Sequence, residues 1–118
     1  MKYGYARVST SHQLAERQEQ ELSKAGASSI IIEYASGANA DRPLLREILD
    51  TLGNDDEFIV VSLDRLARSS IDFLNIVEEI NHAGAALKVL NQNIDTASPS
   101  GKMVMSVLMA MAEFEREM

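Results

Sequence analysis

Apolar residues in this chain occur in two arrangements: short continuous runs, and longer stretches with an apolar residue every three or four positions. The runs are typical of strands covered on both faces of a sheet, and the spaced positions are typical of helices with one buried stripe. Four strands and four helices alternate along the chain in this way. This order predicts right-handed βαβ units and a mainly parallel sheet.

The predicted strands cover about residues 3–8, 29–34, 58–61 and 87–90, and the predicted helices cover about 10–25, 43–52, 70–83 and 98–118. Thr10 and Gln13 have the spacing of a capping box at the first helix, and Asp41 and Pro43 suit the start of the second. A polar loop is predicted from Asn91 to Thr96. The fold class is therefore α/β, with three layers: a mainly parallel β-sheet flanked by helices, and a long C-terminal helix that serves for oligomerisation.

The last helix differs from the others because its middle is apolar on nearly every side. One face can pack on the sheet, but the opposite face needs a second surface. We predict that this surface is another copy of the chain, with an interface at Met103, Met105, Met109 and Met111. Methionines in a helix more often belong to the core, but these lie on different faces. The helix reaches Met118 without a C-terminal cap, which predicts that it continues in a longer protein.

Composition narrows the class of protein. Of the 118 residues 46% are hydrophobic and 25% are charged, which is ordinary for one globular domain. The chain has no cysteine, and its two histidines, His12 and His82, are far apart, so we expect no metal site. We predict neither a signal peptide nor a membrane span, and expect a cytoplasmic protein. The net charge of −7 disfavours strong unaided binding to nucleic acid but is compatible with a local arginine cluster.

Polar residues follow two of the predicted strands. Arg7 and Ser9 end the first strand, and Asp64, Arg65 and Arg68 follow the third. Doubly wound connectivity commonly makes such strands neighbours, so we expect the two clusters to meet at the carboxyl edge of the sheet. Arginine stays protonated and its planar fork matches two phosphate oxygens, which suits a phosphodiester under attack by a hydroxyl. The sequence therefore predicts metal-free phosphate chemistry at Ser9.

Each of these residues also has a simpler interpretation. Ser9 precedes a helix, where serine is common as a capping residue or its neighbour. Arg65 and Arg68 are compatible with exposed ion pairs to Asp64 and Asp72, worth about 0.3–0.5 kcal/mol each. Taken one at a time, these interpretations are favoured, so the functional prediction depends on the residues occurring together.

The ordered set of residues resembles the catalytic domain of small serine recombinases of the resolvase and invertase type. The matching segments are Tyr5-Ala6-Arg7-Val8-Ser9-Thr10, Asp41-Arg42, Asp64-Arg65-Leu66-Ala67-Arg68, Gly101-Lys102-Met103 and Glu115-Arg116, with Gln13 and Gln18 behind the first. The resemblance covers all 118 residues. Each segment alone is weakly specific, but the ordered set is highly specific. Ala67 stands where glycine is frequent in the family.

The resemblance implies a nucleophile at Ser9 that attacks a DNA phosphodiester, forms a 5′ phosphoserine link and releases a 3′ hydroxyl. The further catalytic residues that it implies are Arg7, Arg65, Arg68, Asp64, Gln13, Gln18 and Arg42. The residues implied to contact DNA are Arg7, Arg42, Lys102, Glu115 and Arg116. The last two are also compatible with a solvated helix face. No cofactor is implied. The implied assembly is a homodimer through the helix at residues 98–118 and a tetramer on two DNA sites, in which subunit rotation exchanges the strands.

Gln18 has two interpretations from its position, because it falls on the buried stripe of the first helix. A buried amide needs partners, so it either satisfies a backbone group or points toward the pocket near Ser9.

The helix-turn-helix found at the C-terminus of family members has no counterpart in residues 1–118, so we expect no autonomous sequence recognition. Two alternatives remain. One is a non-catalytic α/β dimerisation module of a DNA-binding regulator, similar to a receiver domain, and the other is a phosphatase or nuclease. A receiver domain would carry clustered acidic residues at the end of its first strand, where this chain has Arg7 and Ser9.

Overall fold

Five strands form one sheet between two layers of helices in the structure of this chain, a computed structural model. It describes residues 1–9, 12–34, 42–67 and 69–117, and only the backbone of His12 and Arg116. The strands are β1 (Lys2–Val8), β2 (Ser29–Tyr34), β3 (Glu57–Val60), β4 (Ala86–Val89) and β5 (Ile94–Asp95). The helices are α1 (His12–Lys24), α2 (Pro43–Thr51), α3 (Ser70–His82) and α4 (Pro99–Glu117), with a 3₁₀ turn at Leu63–Arg65, the 63–65 turn.

The strand order is β2-β1-β3-β4-β5, and only the β4–β5 pair is antiparallel. α1 covers one face of the sheet, over a small core that includes Ala6, Leu22 and Ile59. α2, α3 and α4 cover the other face, over a larger core that includes Tyr5 and Phe58. Successive residues of β1 point to opposite faces, so Tyr5 and Ala6 lie in different cores. The predicted three-layer α/β fold with a mainly parallel sheet is confirmed.

The predicted polar loop from Asn91 to Thr96 was wrong, because it contains β5. This strand has only two residues, too few for a periodic pattern. It is held by the residue after it: the buried Thr96 accepts a hydrogen bond from the Leu87 N–H through Oγ1 at 2.7 Å and donates its own N–H to the Leu87 carbonyl at 2.9 Å. A side chain therefore completes the ladder where the strand is short.

The predicted starts of two helices depend in part on residues outside the description. Thr10, the loop Ala35–Ala40 and Asp41 all lie outside the described residues. The described parts agree with the prediction, since α1 runs from His12 and α2 has Pro43 in its first turn. Among the helices described, none is long and apolar enough to cross a bilayer.

α4 has one face against the body of the chain and one face in solvent. Met105 and Ala112 are buried, and Met109 packs partly buried against the larger core. Met103 is 71% exposed and Met111 is 48% exposed. Met105 and Met109 therefore pack on the inward face of α4 within one subunit, and the interface at the four methionines stays a prediction. Met103 and Met111 remain available.

α4 is anchored to the sheet at its first turn. The Ser98 hydroxyl donates to the Asp95 carbonyl at 2.8 Å and accepts from the Gly101 N–H at 2.9 Å. Gly101 is buried directly beneath Asp95, so that a Cβ at this position would overlap the Asp95 carbonyl oxygen. Only glycine allows the helix to lie this close to β5, and the close approach sets the direction in which α4 leaves the sheet.

We predict that Gly101→Ala lowers the free energy of unfolding by about 1–3 kcal/mol, because the new methyl group has to displace backbone. Helix propensity alone would favour alanine, so a loss reports the steric overlap. Urea denaturation measures the change. Gly53→Ala is the matched control, because a Cβ there meets only the Asp56 carboxylate, at 3.8 Å. Equal effects of the two substitutions would show that Gly101 is not a close-packing position.

Candidate active site

The segments that follow β1 and β3 lie side by side at the carboxyl edge of the sheet. The two strands pair in parallel, from Lys2 with Glu57 to Tyr5 with Val60. Ser9 is exposed just after β1, and the 63–65 turn follows β3. The predicted meeting of the two polar clusters is confirmed by a direct contact, in which Arg7 Nη2 donates to the Asp64 carbonyl at 2.8 Å.

Arg7 is a buried cation, only 9% exposed, two residues before the exposed Ser9. One of its terminal nitrogens binds the Asp64 carbonyl, but Nη1 has no hydrogen-bond partner among the described residues. A guanidinium keeps its charge at any working pH, and a buried donor without an acceptor is costly. Arg7 therefore keeps one donor without an acceptor, at a buried position two residues before Ser9.

Arg42 lies just before α2, and its side chain is 7% exposed. Nη1 donates to the Leu66 carbonyl at 2.6 Å, and Nη2 pairs with Asp72 Oδ2 at 2.7 Å. The sequence suggested Arg65 or Arg68 as the partner of Asp72. The structure instead pairs Asp72 with Arg42. Both terminal nitrogens of Arg42 are thus engaged within the protein, whereas the buried Nε has no hydrogen-bond partner among the described residues.

Arg7 and Arg42 together hold the backbone on either side of Arg65. Arg7 binds the carbonyl of Asp64 and Arg42 binds the carbonyl of Leu66. The turn adds its own bonds, from the Arg65 N–H to the Ser62 carbonyl at 3.2 Å and from the Leu66 N–H to Leu63 at 3.0 Å. The backbone of Arg65 is therefore fixed, while its side chain is partly exposed.

Glu33 is a site residue that the sequence analysis missed. It lies on β2 and is buried, and its carboxylate accepts three hydrogen bonds. The donors are the Tyr5 hydroxyl at 2.7 Å, the Leu44 N–H at 2.8 Å and the Leu45 N–H at 3.2 Å. The two amides belong to the first turn of α2, where backbone donors lack partners within the helix. Glu33 therefore caps α2 from a neighbouring strand.

One signal in the sequence pointed to Glu33. Alternation along β2 places it on the same face as Ile31, which packs against the larger core. An acidic residue on a buried face needs donors, and an uncapped helix N-terminus supplies them. The signal was missed because capping residues are normally sought at the helix start itself, where Arg42 makes no side-chain capping bond in the described structure.

Burial and the hydrogen bond to Glu33 both raise the pKa of Tyr5 well above its ordinary value of 10.0, and burial is the larger cause. The positive charges of Arg42 and Arg7 act in the opposite direction. Tyr5 therefore keeps its proton and remains a donor to Glu33 throughout the working range of pH.

A polar cavity of about 350 Å³ lies between α1 and the segments that follow β3 and β4. Its wall includes the buried Gln18 together with Ser62, Asp64, Arg65 and Asn91. Within the described part of the chain, Gln18 Oε1 has no hydrogen-bond partner. Gln18 thus lines a polar cavity, but the described wall of this cavity does not include Ser9, so the role of Gln18 toward Ser9 stays a prediction.

The other predicted site residues are less closely associated. Asp64 and Gln13 are exposed, Asp64 in the 63–65 turn and Gln13 in the first turn of α1. Lys102 and Glu115 are exposed on α4, which packs against α3. Arg68 and the side chain of Arg116 lie outside the described residues. Among the residues that are described, no group of three or more histidine, aspartate or glutamate side chains is placed to hold a metal ion.

Comparison with known proteins identifies relatives over the whole chain. The family model described as "Resolvase, N terminal domain" matches residues 2–118. The probable DNA-invertase y4cG of Sinorhizobium fredii is 43% identical over 113 residues, which are 96% of this chain and 37% of that protein. The DNA-invertase of Escherichia phage P1 is 40% identical over 118 residues, which are 100% of this chain and 63% of that protein. The chain thus spans less than two thirds of either relative.

A solved structure agrees with these relatives. The N-terminal catalytic domain of TP901-1 integrase is similar to this chain with a TM-score of 0.74 and 31% sequence identity, and the match covers 99% of this chain and 98% of that one.

We predict that Tyr5→Phe flattens the loss of stability at alkaline pH. The pKa of Tyr5 in the folded state is raised above 10.0, so the folded state binds the tyrosine proton more tightly than the unfolded state does. This stabilisation is complete below about pH 10 and decreases as the pH rises toward the folded pKa. Urea denaturation across that range measures the slope. An unchanged slope in Tyr5→Phe would contradict the assignment.

Proposed function

This chain belongs to the family of the resolvase N-terminal domain, and on that premise we propose that it is the catalytic domain of a site-specific DNA recombinase. One observation carries the proposal. Beside the exposed Ser9 lies the buried cation of Arg7, whose Nη1 finds no acceptor in the part of the chain that the structure describes. A phosphodiester oxygen is the acceptor that fits this donor and its charge.

In the proposed reaction, Ser9 Oγ attacks the phosphorus of a DNA phosphodiester. An Oγ–P bond forms and the bond from phosphorus to the 3′ oxygen breaks, which leaves a 5′ phosphoserine and a free 3′ hydroxyl. The serine proton is lost and the 3′ oxygen gains one. Negative charge increases on the phosphoryl oxygens during the attack, and Arg7, Arg65 and Arg68 neutralise it.

Rejoining is the reverse step. The 3′ hydroxyl of an exchanged strand attacks the phosphoserine, restores a phosphodiester and returns the proton to Ser9. The covalent link keeps the energy of the broken bond, so the reaction needs no cofactor. This property suits strand exchange better than hydrolysis.

The remaining candidates have supporting roles in this proposal. Asp64, exposed beside Arg65, is assigned as the acidic partner of the leaving group or of the arginines. Gln13 and Gln18 are polar supports on α1. The residues proposed to extend the DNA contacts are Lys102, Glu115 and Arg116. Because the chain carries a net charge of −7, these contacts have to be local.

The alternative, a non-catalytic α/β dimerisation module, is less well supported. Such a module would account for α4 and for the hydrophobic core, which both proposals require. It gives no reason for a buried arginine beside an exposed serine at the carboxyl edge of the sheet.

We propose that two copies associate through the outer face of α4, as a homodimer that forms a tetramer on two DNA sites. Val104, Val107, Met111 and Phe114 are all exposed, and Phe114 is 62% exposed. Their spacing of three, four and three residues is that of the apolar seam of a coiled coil. Covering each side chain is worth roughly 1.5–3 kcal/mol, so an uncovered seam is unfavourable.

We predict that Ser9→Ala abolishes DNA cleavage in the full-length protein and leaves DNA binding intact, because only the nucleophile is removed. The assay traps the covalent protein–DNA adduct on a denaturing gel, in the presence of EDTA. The control is Ser23→Ala, an exposed serine on α1, which should form the adduct normally. An adduct with Ser9→Ala would show that another residue is the nucleophile. Cleavage that requires added Mg²⁺ would indicate a metal-dependent nuclease instead.

We predict that Val107→Lys weakens self-association of the full-length protein by about 100-fold or more, because it removes one apolar side chain from each subunit of a dimer. Sedimentation equilibrium measures the dissociation constant. The matched control is Ser106→Lys, which adds the same charge at the preceding residue, where the side chain is already polar. If the two variants associate equally well, the seam is not the interface.

A further inference from the structure

We infer that Arg42 is a positioning residue and does not contact DNA: it holds the 63–65 turn, while Glu33 and Tyr5 hold Arg42. The inference rests on the proposed function, because the group that is positioned is the catalytic candidate Arg65. It differs from the role that the family resemblance implied for Arg42, which was a direct contact with the substrate.

The first step is the engagement of Arg42. Its two terminal nitrogens donate to the Leu66 carbonyl and to the Asp72 carboxylate, at 2.6 and 2.7 Å, and the side chain is 7% exposed. The third guanidinium nitrogen, Nε, has no partner among the described residues, but it is buried. To present either terminal nitrogen to a phosphate, Arg42 would have to leave its acceptor and pass from a buried position into solvent. Removing one partner of a buried ion pair leaves the other charge uncompensated, which is strongly unfavourable.

Arg42 and Arg7 both act on the backbone of Arg65. The carbonyls that Arg42 and Arg7 bind are those of Leu66 and Asp64, the residues immediately after and before Arg65. The two guanidinium groups therefore set the backbone position from which the Arg65 side chain extends. Losing one of them lets the turn move, and a displacement of about 1 Å at a catalytic group costs about 100-fold in rate.

Arg42 is itself held in place by the first turn of α2 and by Glu33. Arg42 immediately precedes α2, and its carbonyl accepts the Arg46 N–H at 3.1 Å, so its backbone moves with the first turn of the helix. Glu33 binds two amides of that turn and also the Tyr5 hydroxyl. Tyr5 lies on β1, two residues before Arg7. The Glu33 carboxylate thus ties the start of α2 to the strand that carries Arg7 and Ser9.

Glu33 has a further electrostatic effect. The N-terminus of a helix attracts anions, and an uncapped one would compete for the phosphate. In α2 this position is occupied by the carboxylate of Glu33, which binds the Leu44 and Leu45 amides. The phosphate is left to the arginines at the sheet edge.

The salt dependence of DNA binding tests whether Arg42 contacts a phosphate. Each phosphate contact adds about 0.9 to the slope of log K against log salt concentration. In the full-length protein, Arg65→Ala should lower the slope by about that amount, and Arg42→Ala should leave it unchanged. An equal decrease in both variants would overturn the inference.

A double-mutant cycle tests whether Glu33 acts through Arg42. In single-turnover cleavage, Glu33→Gln and Arg42→Ala should each lower the rate by about 100-fold, and the double variant should be no slower than the worse of the two. Tyr5→Phe, which removes one donor from Glu33, should have a smaller effect in the same direction. Multiplicative losses would mean that Glu33 and Arg42 act independently, against the inference.

Thr96→Val is the matched control for lost stability. Thr96 is also a buried side chain that accepts a backbone N–H, but it lies beside β5. It should lower the free energy of unfolding and leave the cleavage rate of the folded protein unchanged. An equal loss of rate in this variant would show that the Glu33 effect is only a loss of folding.

Arg42→Lys replaces Arg42→Ala if the latter does not fold, since lysine keeps the charge but has no fork to bind both acceptors. Positioning predicts a slow variant with an unchanged salt slope, whereas near-normal cleavage would indicate a simple phosphate contact. The unaltered protein is measured in parallel. If it forms no Ser9 adduct, the proposed function fails; if it does and the cycle is multiplicative, only this inference fails.

Discussion

A single buried carboxylate, that of Glu33, joins three elements on which the site depends. It accepts the Tyr5 hydroxyl from β1 and two amides from the start of α2, and it lies on β2 itself. Each of these groups would be costly to bury alone: the carboxylate for its charge, the amides for their missing acceptors. Because they satisfy one another, the edge strand β2 and the short helix α2 are held against β1 by polar contacts as well as by the larger core.

The arginines at this edge show how a cluster of like charges can be stable before a ligand arrives. Arg7 donates to a backbone carbonyl of the 63–65 turn, Arg42 donates to the carbonyl of the residue after the turn, and Arg42 also pairs with Asp72. Partial charges on carbonyl oxygens and the carboxylate of Asp72 thus offset part of the positive charge. This arrangement is compatible with a chain whose overall charge is −7, since the positive region is created by local geometry and not by composition.

The sequence was sufficient for the features that depend on local pattern. Alternating apolar runs and stripes predicted the order of strands and helices, and the rule for neighbouring strands predicted that Arg7 would meet the residues after β3. Features that depend on contacts between distant segments were missed. β5 exists because Thr96 completes its ladder, Glu33 is a cap for a helix on another element, and Met105 is in the core because α4 lies against α3. Alternation along β2 indicates that Glu33 is buried, but no periodic pattern identifies the partners in any of these contacts.

The close contact of Gly101 with Asp95 fixes the first turn of α4, so the orientation of the whole helix depends on this contact. The helix has 19 residues and is therefore about 28 Å long, so a tilt of about 10° at its first turn would move its far end by about 5 Å. The buried glycine and the Ser98 hydrogen bonds oppose such a tilt. Forces applied along the outer face of α4 are consequently delivered to β5 and β4, at the side of the sheet away from β2. A partner that binds α4 would therefore act on the sheet at its β5 edge. The hydrogen bonds of Glu33 stabilise the opposite edge, at β2.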